Sequence, residues 1–188
     1  APGLLFGGTV PADPRTVLYD ADVGTRATSW GLRSEFTWDF DAVVLKALTA
    51  WRAVDVDVSI DLDGTQANAV IDRPQGRARD FSEDVVLTSQ SASAVEWLIG
   101  GSYLHADAAQ RLTVNVAPAQ LTDVPDGRLV TDAGALFGEV EWQFAPGWRL
   151  KAGARWADEH RDRHYRETVD GAPVATLGGG KSWSAFVP

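Results

Sequence analysis

Residues 135–156 read ALFGEVEWQFAPGWRLKAGARW, and their alternation decides the fold. Successive strand side chains point to opposite faces, so Leu136, Gly138, Val140, Trp142 and Phe144 share one side while Phe137, Glu139, Glu141 and Gln143 share the other. After the turn residues Ala145, Pro146 and Gly147, the return arm puts Trp148, Leu150, Ala152, Ala154 and Trp156 on one side. Arg149, Lys151, Gly153 and Arg155 lie opposite. Pairing across the turn sets Glu141 against Lys151 and Gln143 against Arg149, giving a complementary polar face and a continuous apolar one. Such a hairpin needs an apolar neighbour on one side and water on the other. The neighbour is a second sheet or a lipid bilayer, and the two imply different functions.

Composition narrows the field. The chain has 188 residues, enough for one ordinary domain, with a formal charge of -9 and a sequence pI near 4.7. That charge argues against nucleic acid, whose phosphates an acidic surface repels. There is no cysteine, so disulfide and thiolate chemistry are excluded. No apolar run is long enough for a membrane helix, so a membrane-spanning role requires a closed barrel, the other architecture that satisfies the backbone in lipid. Methionine is absent even from position 1 and no leader segment is visible, which reads as a portion of a longer protein.

The hairpin pattern recurs. From 27 to 40, Trp30, Leu32, Phe36, Trp38 and Phe40 alternate with Gly31, Arg33, Glu35, Thr37 and Asp39, with Ser34 interrupting the apolar side. A short turn leads to Val43, Leu45, Ala47, Thr49 and Trp51 on one face, with Lys46 and Arg52 opposite. Beyond Arg52 the apolar phase switches to Val54, Val56, Val58, Ile60 and Leu62, against Asp55, Asp57, Ser59, Asp61 and Asp63. A bulge, or a strand passing from one environment to another, accounts for such a switch. Residues 64–80, with Pro74 and Gly76, read as a long loop. A weaker strand follows at 81–88, a small polar turn at 89–94, and another strand carrying Val95, Trp97, Ile99, Gly101 and Tyr103. A second long loop holds Pro118, Pro125 and Gly127; a third covers about 158–181.

Short turns thus alternate with long loops. Trp38, Phe40, Trp97, Trp142, Phe144 and Trp148 lie beside the short turns, and Trp51, Tyr103 and Trp156 lie about 9 to 11 residues away, the length of a membrane strand. Transmembrane barrels place short turns on the periplasmic side, long loops outside and aromatic girdles at both interfaces. The expectation is an all-β, antiparallel up-and-down meander of six to seven strands forming part of a transmembrane barrel, open because so few strands cannot close a wide one. The alternative is a soluble secreted β-sandwich that binds carbohydrate through exposed Trp residues.

Several stretches then resemble one family. Residues 47–64, ALTAWRAVDVDVSIDLDG, are similar to the "SITAYR…DLDG" strand and loop of TonB-dependent outer-membrane receptors, especially their sphingomonad-type branch. FSEDVVLTS at 81–89 resembles "FSQELRLTS", followed by VEWLIGGSY at 95–103. ALFGEVEWQFAPGWRLKAGAR at 135–155 resembles "AAFGQATY…LSLTLGLRYT", and KSWSAFVP at 181–188 resembles the start of a further strand. The resemblance implies that residues 1–188 are part of a receptor barrel in the bacterial outer membrane. The plug domain, the TonB-contacting box and the remaining strands would lie elsewhere in the parent. The intact receptor would import a scarce small molecule, such as a ferric siderophore, cobalamin or an oligosaccharide, by TonB-energised movement of the plug. Outer-membrane lipid, the plug and the TonB system are the implied partners.

No catalytic constellation, cofactor site or metal site is expected. His160 and His164, four apart, and Tyr165 fall in an outer loop and are ligand candidates by that position alone; His105 stands apart from them. Asp55, Asp57, Asp61 and Asp63 read as an acidic strand extension, because Gly64 is misplaced for a twelve-residue calcium loop. Glu139 and Glu141 have glycosidase-like spacing, but their facing Lys151 and Arg149 read as a satisfied lumen wall. With Arg33, Glu35, Lys46, Arg52 and Arg155, these polar-face residues are expected to point into the lumen.

Overall fold

The computed structural model describes residues 2–13, 15–90 and 94–188. A short 3-10 helix, Pro2–Phe6, opens the chain, and seven strands follow: β1 Gly24–Asp39, β2 Val43–Asp61, β3 Val70–Ser89, β4 Val95–Val116, β5 Leu121–Ala145, β6 Trp148–Val169 and β7 Ala172–Val187. They form one antiparallel sheet in sequence order, with β1 and β7 at its open edges. Each strand packs chiefly on its neighbours in sequence.

No second layer covers the sheet among the described residues. The only buried apolar side chains there are Ala53, Ala69 and Ala135. Leu32 is 71% exposed, Leu136 63% and Trp148 67%. At about 25 cal/mol for each Å² of apolar surface left in water, a soluble domain built this way lacks the main driving force for folding. Nothing supports the sandwich reading: among the described residues no facing sheet covers either side.

The long loops of the sequence reading are corrected to strand. Of 64–80, the part from Val70 onward belongs to β3; Pro118 lies in a 3-10 turn, Ala117–Ala119, while Pro125 and Gly127 lie within β5. Residues 158–181 are β6 and β7 joined at Asp170 and Gly171. Proline lacks an N–H to donate, and on one side of each the ladder skips: β2 and β3 leave out Val58 and Ser59 against Pro74 and Arg73, and β4 and β5 leave out Leu112 and Thr113 against Pro125 and Val124, while Pro74 pairs with Leu112 and Pro125 with Glu167 on the other side. Beyond each gap the register resumes unshifted. Asp170 and Gly171 both have positive φ, 51° and 79°, the two-residue turn whose twist matches paired strands. The small polar turn at 89–94 lies partly outside the described residues, at 91–93.

The phase switch after Arg52 occurs without a bulge. β1 pairs with β2 in one unbroken register from Gly24↔Ser59 to Asp39↔Val44. The strand keeps its course and the environment on each face changes.

Candidate functional site

Register pairs sort every side chain onto one of two faces. On the first, the tryptophan face, a single row crosses six strands from Leu32 through Trp51, Phe81, His105 and Asp132 to His160. The row begins apolar and ends polar, so the apolar band is oblique to the strands.

Two aromatic rows bound that band. The upper runs through Trp30, Trp51, Phe81, Tyr103 and Trp156 to Phe186; the lower through Trp38, Trp97 and Trp142 to Trp148. From β1 to β6 the upper row descends three register steps, Trp30 to Trp156, and the lower row descends the same three, Trp38 to Trp148. Three steps are six residues, about 20 Å of strand, and five strand gaps are about 24 Å. Both rows therefore slope about 40° to the normal of the strands, within the tilt of about 35–45° found in transmembrane barrels. Trp30 to Trp38 and Trp148 to Trp156 each cover a stretch of about nine residues, enough for one membrane strand.

The rings pack along these rows. Trp30 meets Trp51 edge-on with centroids 3.9 Å apart, Trp38 stacks on Phe40 at 4.4 Å, and Phe144 lies 5.6 Å from Trp142 and 6.2 Å from Trp148. Trp38, Phe40, Trp51, Trp97, Tyr103, Trp142, Phe144, Trp148 and Trp156 are thus brought onto one face in two bands. Sequence reading missed Trp30, Phe81 and Phe186 as band members, because membership depends on register with a neighbouring strand. It also passed over Glu83, which falls on this face near the upper band and accepts a 2.5 Å hydrogen bond from the Thr49 hydroxyl.

Beyond the upper band the same face is polar. Arg79 pairs with Asp55 at 2.8 Å and Arg128 with Asp107 at 2.7 Å. Asp132 receives the Tyr103 hydroxyl at 3.0 Å and lies 2.7 Å from His105 Nδ1. His160 contacts Ser182 and Asp162 at 2.8 and 3.0 Å. His160 and His164 sit on β6 rather than in a loop, and share this face. Tyr165, one residue on, points to the other, so strand alternation separates the three ligand candidates.

The second face is ionic. Arg33, Glu35, Lys46, Arg52, Glu139, Glu141, Lys151 and Arg155 all fall on it. Arg33 meets Glu35 at 3.2 Å, Arg52 meets Asp80 at 2.5 Å, Lys151 meets Glu139 at 2.7 Å and Arg149 meets Glu141 at 2.9 Å. Arg155 lies over the Phe137 ring, 5.8 Å from its centroid. The paired carboxylates Glu139 and Glu141 are therefore each occupied by a cation.

Further from the short turns this face becomes a trough of about 710 Å³. Two register rows make it: Val56, Gly76, Gln110, Gly127, Tyr165 and, beside it, Val54, Ala78, Ala108, Leu129, Arg163. Glycine, alanine and Gln110 form the floor; valines on β2 and larger side chains on β5 and β6 form the rims. Next to it, Arg161 and Lys181 both lie over the Trp183 ring, at 5.5 and 5.3 Å.

At the far end of β2, a carboxylate turn closes the connection to β3. Asp61 accepts from the amides of Asp63 and Gly64 at 3.0 and 2.9 Å. Asp63, 1% exposed, accepts from the Thr65 amide and hydroxyl and from the amides of Ala69 and Val70. Burial alone would raise its carboxyl; the Thr65 hydroxyl and the amides of Val70, Thr65 and Ala69 outweigh burial and hold it below its ordinary 3.8. Among the described residues only Asp20, Asp61 and Asp63 bring three metal-ligating groups together, with oxygens within 4.8 Å. Asp63 is already bonded by four donors.

A single tilted sheet with paired aromatic bands on one face and ion pairs on the other defines a wall segment of an outer-membrane β-barrel. The model of the family "TonB dependent receptor-like, beta-barrel" matches residues 2–188, and the chain belongs to that family, whose members are outer-membrane receptors and transporters. Among solved structures, the ferric yersiniabactin uptake receptor FyuA from Yersinia pestis superposes with a TM-score of 0.71 at 12% identity, over 89% of this chain and 26% of that one. BauA, the ferric preacinetobactin receptor of Acinetobacter baumannii, gives a TM-score of 0.43 at 10% identity, over 87% of this chain and 28% of that one. No curated protein sequence matches significantly. The chain spans about a quarter of the length of FyuA.

Proposed function

We propose that this chain forms part of the barrel wall of a receptor that imports a scarce small molecule, its tryptophan face against lipid and its ionic face lining the lumen. The single observation behind this reading is the parallel descent of the two aromatic rows at a barrel's strand tilt. The two rows are one membrane-strand length apart and bound a face with no protein partner among the described residues. Arg33, Glu35, Lys46, Arg52, Glu139, Glu141, Lys151 and Arg155 then hydrate the lumen wall or meet the plug, which with the remaining strands belongs to the parent protein. Family membership and the quarter-length match to FyuA support that division. Transport proceeds by TonB-energised displacement of the plug, with no covalent step in this segment.

The test has two arms. The intact receptor should fractionate with the outer membrane and need detergent for release, and brominated lipid should quench Trp142 and Trp148 but leave a tryptophan introduced by Phe137→Trp unquenched. Cells carrying it should accumulate at least one of ⁵⁵Fe-loaded siderophore, labelled cobalamin or labelled maltohexaose, and lose that accumulation when TonB is deleted. Release into detergent-free buffer, or quenching of the two faces alike, overturns the membrane orientation; accumulation of none of the three overturns the transport reading.

A further inference from the structure

Resting on that reading of the ionic face as lumen wall, we propose that the trough beside Arg163 is a binding site for an acid with an extended apolar body. Much of the floor is bare backbone: Gly76 and Gly127 have open space where a Cβ would stand, with nothing nearer than the His164 carbonyl at 3.9 Å from the latter position, and Gln110, exposed between them in the same register row, is the polar side chain there. Val54 and Val56 wall one side and Leu129 the other, so water in the trough finds few polar partners and an apolar body displaces it favourably. The trough runs across the strands from β2 to β6, about 19 Å over four strand gaps.

Charge marks one end of it. Arg163 lines the trough and has no ion pair or hydrogen bond among the described residues, unlike Arg161, which meets Glu159, and Arg166, which meets Asp126. A guanidinium presents a planar fork of donors that matches a carboxylate. The Tyr165 hydroxyl is already given to Glu167 at 2.8 Å, so it contributes its ring, and Arg163 supplies the charge. Lys181, laid over Trp183 one register row away, adds positive potential on the same side. The wall therefore favours a flat or elongated apolar group ending in an acid. A neutral oligosaccharide would find the one amide of Gln110 in the floor and leave most of its hydroxyls facing valine and alanine without partners.

Equilibrium dialysis of the full-length receptor in lipid nanodiscs, with empty discs subtracted, tests this. The probes are biphenyl-4-carboxylate, its neutral amide and maltohexaose. The carboxylate should bind saturably and more tightly than the amide. Arg163→Ala should weaken the carboxylate about tenfold and leave the amide unchanged, since it removes one charge-assisted contact. Arg163→Lys should restore part of the loss, and Ala108→Trp, which fills the floor from an exposed position, should abolish binding of both biphenyls. The proposal is overturned if acid and amide bind equally, if carboxylate binding survives both variants unchanged, or if maltohexaose binds in a way that Ala108→Trp blocks. Outer-membrane fractionation and heat-modifiable migration confirm that each variant is assembled. TonB-dependent uptake that persists while the carboxylate fails to bind sinks this inference alone; absence of any such uptake sinks the transport reading whatever the dialysis gives.

Discussion

Lys151 Nζ lies 2.7 Å from Glu139, two residues along the strand from Glu141, its direct partner across the ladder. Arg149 makes the same step: it faces Gln143 and bonds Glu141 at 2.9 Å. Diagonal neighbours are within reach of long side chains, and strand twist favours one diagonal over the other. All four groups keep contact with water, so each pair is screened and removing one cation costs little. Lys151→Ala should therefore leave the melting temperature of the assembled receptor almost unchanged. Lys151→Glu sets three carboxylates side by side and should lower it, and Glu139→Lys added to Lys151→Glu should bring it back. Heat-modifiable gel migration reads all three. Failure of the double exchange to recover would show that the diagonal pair does not form.

Gly100 and Phe137 make a second cross-strand pair, on the ionic face. A Cβ at Gly100 would stand 2.5 and 2.8 Å from two carbons of the Phe137 ring and 2.9 Å from the Val85 carbonyl oxygen. The ring covers the glycine, and Arg155 covers the ring. Gly100→Val should destabilise by about 1–3 kcal/mol, the usual cost of overpacking. Adding Phe137→Ala should recover part of this and not all, because the Val85 carbonyl stays. Urea titration of tryptophan fluorescence in refolded receptor separates full from partial recovery.

The Asp63 turn responds to acid. Its carboxyl is held below 3.8 by four donors, so in the folded protein it stays ionised at pH values where the unfolded chain is already protonating. The stabilisation it supplies is complete above the unfolded value and is lost as pH falls through the lower folded value. Amides of Ala69 and Val70 should stay protected from hydrogen exchange at pH 4 and open below that range. Asp63→Asn, which keeps one acceptor oxygen, should weaken the turn by about 1–3 kcal/mol and remove the acid step. Protection that falls between pH 7 and pH 5 would contradict the assignment.

How much could be read in advance depended on whether a signal was local. The hairpin at β5 and β6 was legible because alternation, Pro146-Gly147 and matching charges all lie within one stretch. The ends of the strands were not. Pro74, Pro125 and the glycines 178–180 carry loop composition, yet backbone pairing with a neighbour holds them extended. One local signal was overlooked: Asp170-Gly171, between alternating arms, is the two-residue hairpin turn that divides β6 from β7. The trough was invisible for a different reason. Val56, Gly76, Gly127 and Tyr165 are far apart in sequence and meet only through four successive registers.

The apolar band gives the sharpest test of orientation. Val140 lies on the tryptophan face inside the band, between Leu136 and Trp142 and opposite Trp97 of the lower row, while Gln143 lies on the ionic face beside the short turn. If the band sits in hydrocarbon, Val140→Arg places a charge between the bilayer middle and its lower interface and should cost about 1–3 kcal/mol. Gln143→Arg puts the same charge into the lumen, where Glu141 beside it and Arg149 opposite it offset one another, and should change stability by less than about 0.5 kcal/mol. A water-facing tryptophan face would make the two substitutions equivalent, because an exposed valine on a wet sheet accepts arginine at little cost. Reversible folding of the full-length receptor into vesicles, followed by tryptophan fluorescence in denaturant, measures both. Equal small effects would remove the lipid from this account, whereas a large loss at Val140 beside none at Gln143 ties the sloping aromatic rows to the membrane.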